Sequence, residues 1–270
     1  MSQPTGNATP TNESGLSPSR SSPSLIQLLR SRVRRLSETP EPQRKFLRSL
    51  ERAVANRVIM EQVHRLRNAV ILAGLRERER SQGITVALTG PRGGEGASVL
   101  HMLLGLSLAE CTERGVSVLD GRFEVQRFQS LTRLFQLSRN AVNLASTSTE
   151  VVGYCNEGHP NAHFLHGESV ERGLEFFSDK KLKGFFEQLR QSFDFTVIDM
   201  PPLLQDTSTC FVLPYVDVLY LVVEAGRTRF SEVEQCMKTV NDAGFRISGV
   251  VVNKQAAPFW SRFVWRDFFF

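Results

Sequence analysis

At 270 residues, with 41% hydrophobic and 23% charged residues and a net charge of +5, the chain has the apolar content for a full core. That excludes a wholly disordered polypeptide and suits one large domain, or one domain with extensions. Its four cysteines, Cys111, Cys155, Cys210 and Cys236, lie far apart in no paired pattern, which argues against a disulfide framework or a zinc knuckle and fits a reducing compartment. No apolar run approaches the ~20 residues of a membrane span. The N-terminus has the form of neither a signal peptide nor an Arg-rich transit helix, so a cytoplasmic protein is expected.

Residues 1–24 are mostly Ser, Thr, Pro, Asn and Gly and are expected to be a disordered tail. Residues 25–82 read as a basic helical arm. Leu25, Ile26, Leu28, Leu29, Val33 and Leu36 have helical spacing among Arg30, Arg32, Arg34 and Arg35, and a second, interrupted helical stretch runs from about Pro42 to Arg80. Up to Gln82 there are 15 Lys and Arg against 7 Asp and Glu, so the positive charge is local to this arm. It suits an anionic membrane surface, an acidic partner face or simple solvation. Nucleic acid is disfavoured as a partner, because no aromatic residues interleave the arginines.

Residues 83–256 alternate short apolar runs with helical stretches. The expected strands are Ile84–Thr89, Val116–Leu119, Val142–Ala145, Phe195–Asp199, Val218–Val223 and Ile247–Val252. The expected helices are Ala97–Arg114, Phe128–Gln136, Lys180–Phe193 and Phe230–Ala243. Alternation of this kind predicts an α/β fold: a mostly parallel sheet with helices on both faces, and ligands at the carboxyl ends of the strands. Residues 257–270 form an aromatic C-terminal tail.

The first strand runs into Gly90-Pro-Arg-Gly-Gly-Glu-Gly-Ala-Ser98 and then a helix. A strand, a Gly-rich turn and a helix in that order can build a phosphate cradle from converging backbone N–H groups. On the pattern Gly-x-x-x-x-Gly-Lys-Ser/Thr, Gly96 and Ser98 match, Gly90 stands one place early, and Ala97 occupies the lysine position. The stretch is either a cradle without its fixed cation or an ordinary strand-to-helix turn. Three later strands end in polar residues at the same edge: Asp120, Asp199 and Asn253. Acids so placed orient magnesium or a reacting group in nucleotide-binding proteins, and an asparagine can read an adenine edge; singly, each is also an ordinary cap or turn residue.

These motifs together resemble the cytoplasmic domain of bacterial tyrosine kinases of the capsular and exopolysaccharide type, in the MinD/ParA branch of P-loop proteins. The resemblance covers about Glu61 to Gln255. Gly94-Glu-Gly-Ala-Ser98 is similar to the family's Gly-Glu-Gly-Lys-Ser loop, and Val-Leu-Asp120-Gly-Arg122 to its strand ending Asp-x-Asp. Leu134-Phe-Gln-Leu137 is similar to Leu-Phe-Gly-Leu, and Phe193-Asp-Phe-Thr-Val-Ile-Asp-Met-Pro-Pro202 to Tyr-Asp-hydrophobic-Ile-Asp-x-Pro-Pro. The block from Val216-Asp217 to Thr228, and Gly249-Val-Val-Val-Asn253, also match.

The resemblance implies ATP and magnesium as cofactors, Arg92, Gly94, Glu95, Gly96, Ala97, Ser98 and Asn253 around the nucleotide, and Asp120 and Asp199 as the acids. The departures fall where chemistry would occur. Ala97 replaces lysine, Arg122 replaces the second acid, Ser208 stands where an aspartate is frequent, and the tail has no tyrosine. The expected cofactor hold is therefore weak and the acids vestigial. Arg92 falls on the extra lysine of the MinD/ParA loop, which implies either a donor to the phosphates of an opposing subunit or a solvated loop charge. Glu61, His64 and Arg67 fall on a Glu-x-x-Arg-x-x-Arg pattern used for oligomerisation, which suggests a homo-oligomer or a plain surface helix.

Cys155, His159, His163 and His166 carry metal-ligating chemistry but match no standard spacing, so a solvated loop with no metal is expected. The pairs Phe176/Phe177 and Phe185/Phe186 read as core. The resulting expectation is an exopolysaccharide synthesis or export accessory protein, a pseudokinase scaffold. It would be peripheral to the inner membrane through a partner, docking on a membrane polysaccharide co-polymerase that regulates chain length. The alternatives are a weakly active MinD/ParA-type ATPase or a residual tyrosine kinase.

Overall fold

The computed structural model describes residues 41–77, 82–121, 125–140, 151–157, 159–167, 179–206 and 209–255. The tails, the strand expected at Val142–Ala145, Arg122, Phe176, Phe177 and Ser208 lie outside the described residues. Two helices come first, α1 (Glu41–Ala55) and α2 (Arg57–Glu77). The break between them falls at Asn56, whose Oδ1 accepts the N–H groups of Val58 and Ile59 at 3.0 and 3.3 Å and so starts the second helix.

The sheet follows as β1 (Ile84–Thr89), α3 (Ala97–Ala109), β2 (Val116–Asp120), α4 (Val125–Phe135), β3 (Ser138–Asn140), β4 (Val151–Asn156) and β5 (His159–Gly167). It continues as α5 (Asp179–Ser192), β6 (Phe195–Asp199), α6 (Thr209–Val212), a 3-10 turn (Leu213–Tyr215), β7 (Val218–Glu224), α7 (Phe230–Asp242) and β8 (Gly249–Asn253). Strand order is β3-β4-β5-β2-β6-β1-β7-β8. The six strands from β5 to β8 are parallel, and β4 and β3 add an antiparallel edge.

The central strands are buried throughout, as expected where helices cover both faces. Alternate residues feed two cores, because strand side chains alternate faces. Val86, Leu88, Val118 and Val197 pack with α3, while Ala87, Leu119, Ile198 and Leu221 pack with Phe185, Phe186 and Leu189 of α5 and with Cys236 and Val240 of α7. Leu47, Leu50 and Val54 of α1, with Met60, Val63 and Val70 of α2, are buried in the first of these cores. The described part of the basic segment thus lies against the sheet.

Two expectations need correction. The helix after the Gly-rich turn stops at Ala109 instead of Arg114, because Asp194 Oδ2 accepts the N–H groups of Glu113 and Arg114 at 3.1 and 3.0 Å and draws the chain out of the helix. Cys155, His159, His163 and His166 do not sit in a solvated loop. They lie on the β4–β5 hairpin, where Cys155 and His166 are buried. Its turn residues, Gly153, Asn156 and Pro160, mask a strand pattern whose apolar members Ala162, Phe164 and Leu165 are all buried.

Candidate functional site: the loop after the first strand

All six residues of β1 are buried, and the strand ends at the carboxyl edge of the sheet against β6 and β7. Beyond it, Gly93, Gly94 and Gly96 take φ values of +90°, +90° and +98°, the left-handed region that favours glycine. Gly96 is the N-cap of α3 and gives no side-chain cap, so the first N–H groups of that helix face the loop. A Cβ on Gly96 would lie 2.3 Å from Asn253 Nδ2, whereas a Cβ on Gly94 would meet nothing within 4 Å. The cradle is closed on the Asn253 side and open at Gly94.

Hydrogen bonds from both flanks hold this shape. On one flank, Leu203 and Leu204 donate N–H groups to the carbonyls of Gly90 and Pro91 at 2.9 and 3.0 Å. Thr89 Oγ1 and Thr209 Oγ1 both donate to Pro201 O, at 2.7 and 3.1 Å, which ties the Pro-Pro turn after β6 to the loop. On the other flank, Asn253 Nδ2 donates to Glu95 O at 2.8 Å. The Lys254 ammonium donates to Gly94 O and pairs with Glu224 at 3.0 Å. Glu95 itself is buried, and its Oε1 accepts the Arg92 N–H at 3.0 Å.

The side chain of Arg92 pairs with Glu232 on α7 of the same chain. Arg92 remains a largely exposed loop charge, 63% exposed, with a carboxylate on the facing helix as its partner. The Arg229 N–H holds the Glu232 carboxyl below the usual range, with Arg92 adding to the effect. Glu224 is likewise lowered, first by its hydrogen bond from Lys254 and further by the charges of Lys254 and Arg227. Beneath the loop, burial pushes the Cys236 thiol up to about 11, with Glu95 and Glu232 contributing, so it remains an unreactive thiol.

The acids lie on the opposite flank. Asp120 and Asp199 are register partners on the adjacent parallel strands β2 and β6. With Ser98 they line a pocket that also takes His101 from α3, Phe128 from α4 and His166 from β5. His101 Nε2 lies 3.0 Å from Val197 O and donates to it, since a carbonyl can only accept. His166 stacks flat on Phe128, with ring centroids 4.1 Å apart and planes 6° apart.

The structure therefore assembles Gly94, Glu95, Gly96, Ala97, Ser98, Asp120, Asp199 and Asn253 at one edge. Glu61, His64 and Arg67 lie elsewhere, on α2: Glu61 pairs with Arg57 at 3.0 Å, and Arg67 Nη1 reaches Ser107 Oγ of α3 at 3.5 Å. Sequence reasoning missed His101, Glu224, Glu232 and Lys254, and read His166 as part of a solvated loop, not as a wall of this pocket. Only Lys254, next to Asn253 at a strand end, carried a local signal.

A nucleotide phosphate fits this loop in shape, since left-handed glycines and an uncapped helix start surround open space at Gly94. Ser98, Asp120 and Asp199 offer the hydroxyl and carboxylate oxygens that magnesium takes alongside phosphate. Among the described residues no group of three or more His, Cys, Asp or Glu could hold a metal ion by itself.

No family model matches the chain. Over 177 residues it is 24% identical to the tyrosine-protein kinase ptk of Acinetobacter johnsonii, a match covering 62% of this chain and 23% of that protein. Over 179 residues it is 25% identical to the tyrosine-protein kinase CpsD of Streptococcus agalactiae, covering 63% of this chain and 74% of that one. The chain thus spans less than a quarter of the first relative and about three quarters of the second.

Among solved structures, the BceF tyrosine kinase domain superposes with a TM-score of 0.56 at 21% identity, over 79% of this chain and 89% of that one. The MinD cell division protein of Aquifex aeolicus superposes at 0.51 and 14% identity, over 67% and 73%. At those identities the structural matches speak to the fold, and the sequence matches speak to descent. The chain is thus similar in sequence to bacterial tyrosine kinases and shares the fold of the BceF kinase domain and of MinD.

Proposed function

We propose that this chain is an accessory protein of exopolysaccharide synthesis or export that keeps a tyrosine-kinase fold as a scaffold and does not transfer phosphate. The observation that carries the reading is Ala97: at the first residue of α3, beside the loop, the chain presents a methyl group where the resemblance implies a lysine. Phosphoryl transfer relies almost wholly on positioning and on charge stabilisation of the transferring group. Removing the fixed cation, and reversing a second charge at Arg122, takes away the terms that a kinase needs. ATP with magnesium is then held weakly and not turned over.

In this reading the partner is a membrane polysaccharide co-polymerase, and the protein is peripheral to the inner membrane through it. No described helix is long and apolar enough to cross a membrane by itself. The competing reading is a MinD/ParA-type ATPase using Arg92 across a dimer; the pairing of Arg92 with Glu232 of its own chain weighs only slightly against it, since an exposed ion pair is weak. A residual kinase would have to act on the tyrosines of another protein, since residues 257–270 contain none.

The test is ATP turnover by the purified full chain with and without magnesium. The expected result is no magnesium-dependent turnover above background. The double variant Ala97→Lys with Arg122→Asp is expected to bind ATP at least about tenfold more tightly, since a charge-assisted contact is restored at each position. Rapid magnesium-dependent turnover by the unaltered protein would overturn the proposal.

A further inference from the structure

We propose that Lys254 supplies the loop with the phosphate-binding cation that position 97 lacks, so that the protein holds a nucleoside diphosphate or triphosphate as a static ligand. This rests on the loop being a phosphate site, as argued above, and goes beyond it by naming the residue that does the holding and the flank from which it acts.

Lys254 is built into its place. Its backbone takes φ +56°, a left-handed conformation uncommon for a residue with a branchless side chain but a Cβ, and its N–H donates to Asn253 Oδ1 at 2.9 Å. The preceding residue is fixed twice over: Asn253 O accepts the Ala225 N–H at 2.9 Å, and Asn253 Nδ2 donates to Glu95 O at 2.8 Å. The root of the lysine is therefore rigid with respect to the loop. Its four-carbon stem is free to reposition the ammonium over a few ångströms. At rest that ammonium lies on Gly94 O, beside the one glycine of the loop whose Cβ position is open space.

The counter-ion is arranged so that the ammonium can leave it. Glu224 Oε2 accepts from Lys254 at 3.0 Å and also from Arg227 Nη1 at 3.3 Å. When Lys254 turns to a phosphate, Arg227 still compensates the carboxylate, so no lone charge is stranded. The Arg92 side chain, by contrast, points to Glu232 on α7.

The flank matters for function. Strand order places β2 and β6, with Asp120 and Asp199, on one side of β1, and β7 and β8, with Glu224 and Lys254, on the other. A cation from the β8 side anchors phosphate across the loop from the acids instead of standing between them. That geometry favours holding over transfer, which is what a scaffold with a bound nucleotide requires.

The experiment is calorimetric titration of the full chain with ADP, and with adenosine as the phosphate-free control. Unaltered protein is expected to bind ADP. Lys254→Met, which keeps the stem, is expected to weaken ADP by about tenfold while leaving adenosine binding within about twofold. Lys254→Arg retains ADP binding. Glu224→Gln releases the ammonium and is expected to hold ADP as tightly as the unaltered chain or more so, with a steeper loss on added salt.

A purely structural clamp predicts something else: Lys254→Met and Glu224→Gln would weaken ADP alike, and melting temperature would fall alike. That result overturns the proposal, as does equal ADP affinity of Lys254→Met and the unaltered chain. No ADP binding by the unaltered chain also overturns it, while leaving the non-kinase scaffold standing. Magnesium-dependent ATP turnover that survives Lys254→Met overturns both.

Discussion

Gly96 shows at one residue how closely the shape of the loop is held. Its φ of +98° is strained for any other residue, and a Cβ there would fall 2.3 Å from Asn253 Nδ2. Gly96→Ala is therefore expected to destabilise the fold by about 1–3 kcal/mol, from left-handed strain together with the displaced asparagine. Urea unfolding of Gly96→Ala, Asn253→Ala and the double variant measures this. Because part of the cost is their mutual clash, the double variant should cost less than the two singles combined; strict additivity would mean the contact carries no energy. A second residue-scale expectation concerns His163. Burial lowers its pKa, and its Nδ1 is buried with no hydrogen-bond partner. A histidine lowered in the folded state binds its proton more readily when unfolded, so its contribution is intact above the unfolded value of about 6.5 and is lost as pH falls below it. His163→Phe should flatten the fall in melting temperature between about pH 6.5 and 5, leaving values at pH 8 little changed. An unchanged pH profile would remove His163 as a source of acid sensitivity.

At the scale of elements, α1 and α2 decide how the basic segment is understood. Leu50 and Val54 are fully buried in the core that α3 shares, so α1 should unfold with the sheet and not before it. Leu50→Ala is expected to lower global stability by about 2–5 kcal/mol in a single cooperative urea transition. A separate early transition with the sheet unaffected would make α1 an appendage after all. The parallel part of the sheet could be read in advance because its strands are runs of Val, Ile and Leu bounded by turn residues: β1 and β6 appear with the expected bounds, and β2, β7 and β8 within two residues of them at either end. The β4–β5 hairpin could not. His163 and His166 count as polar in any periodicity, yet His166 is buried flat against Phe128, a partner 38 positions away that no local window contains. The same logic divides the site. Asp120, Asp199 and Asn253 were legible as strand ends that a parallel sheet must align, whereas the pairing of Arg92 with Glu232 depends on how α7 lies across the loop. Strand order brings polar ends together, and only packing reveals which charges are already spoken for.

At the scale of the whole molecule, the sheet ends on one side in β8, whose exposed Val250 (48%) and Val252 (58%) are continuous in the chain with the aromatic tail. An apolar edge strand is a template for pairing with another chain unless something covers it. Met237 and Phe230 of α7 are exposed as well. The tail carries Phe259, Trp260, Phe263, Trp265, Phe268, Phe269 and Phe270, and no tyrosine. Phenyl rings fill the space of a phenol but offer no acceptor for a phosphoryl group, so a contact made by these rings cannot be dissolved by tyrosine phosphorylation. On the proposed scaffold reading, such a contact is permanent and holds chains together. Deleting residues 258–270 is then expected to lower self-association by at least about tenfold, which sedimentation velocity over a concentration series resolves. Val252→Lys in the full-length chain separates the edge from the tail. If the edge carries association, this charge abolishes it with the tail present; if the tail alone carries it, Val252→Lys associates normally and the deletion does not. Unaltered association in both variants would retire the tail and the edge together. Holding chains together would then fall to the helical face of Glu61, His64 and Arg67, where Glu61→Lys should break it.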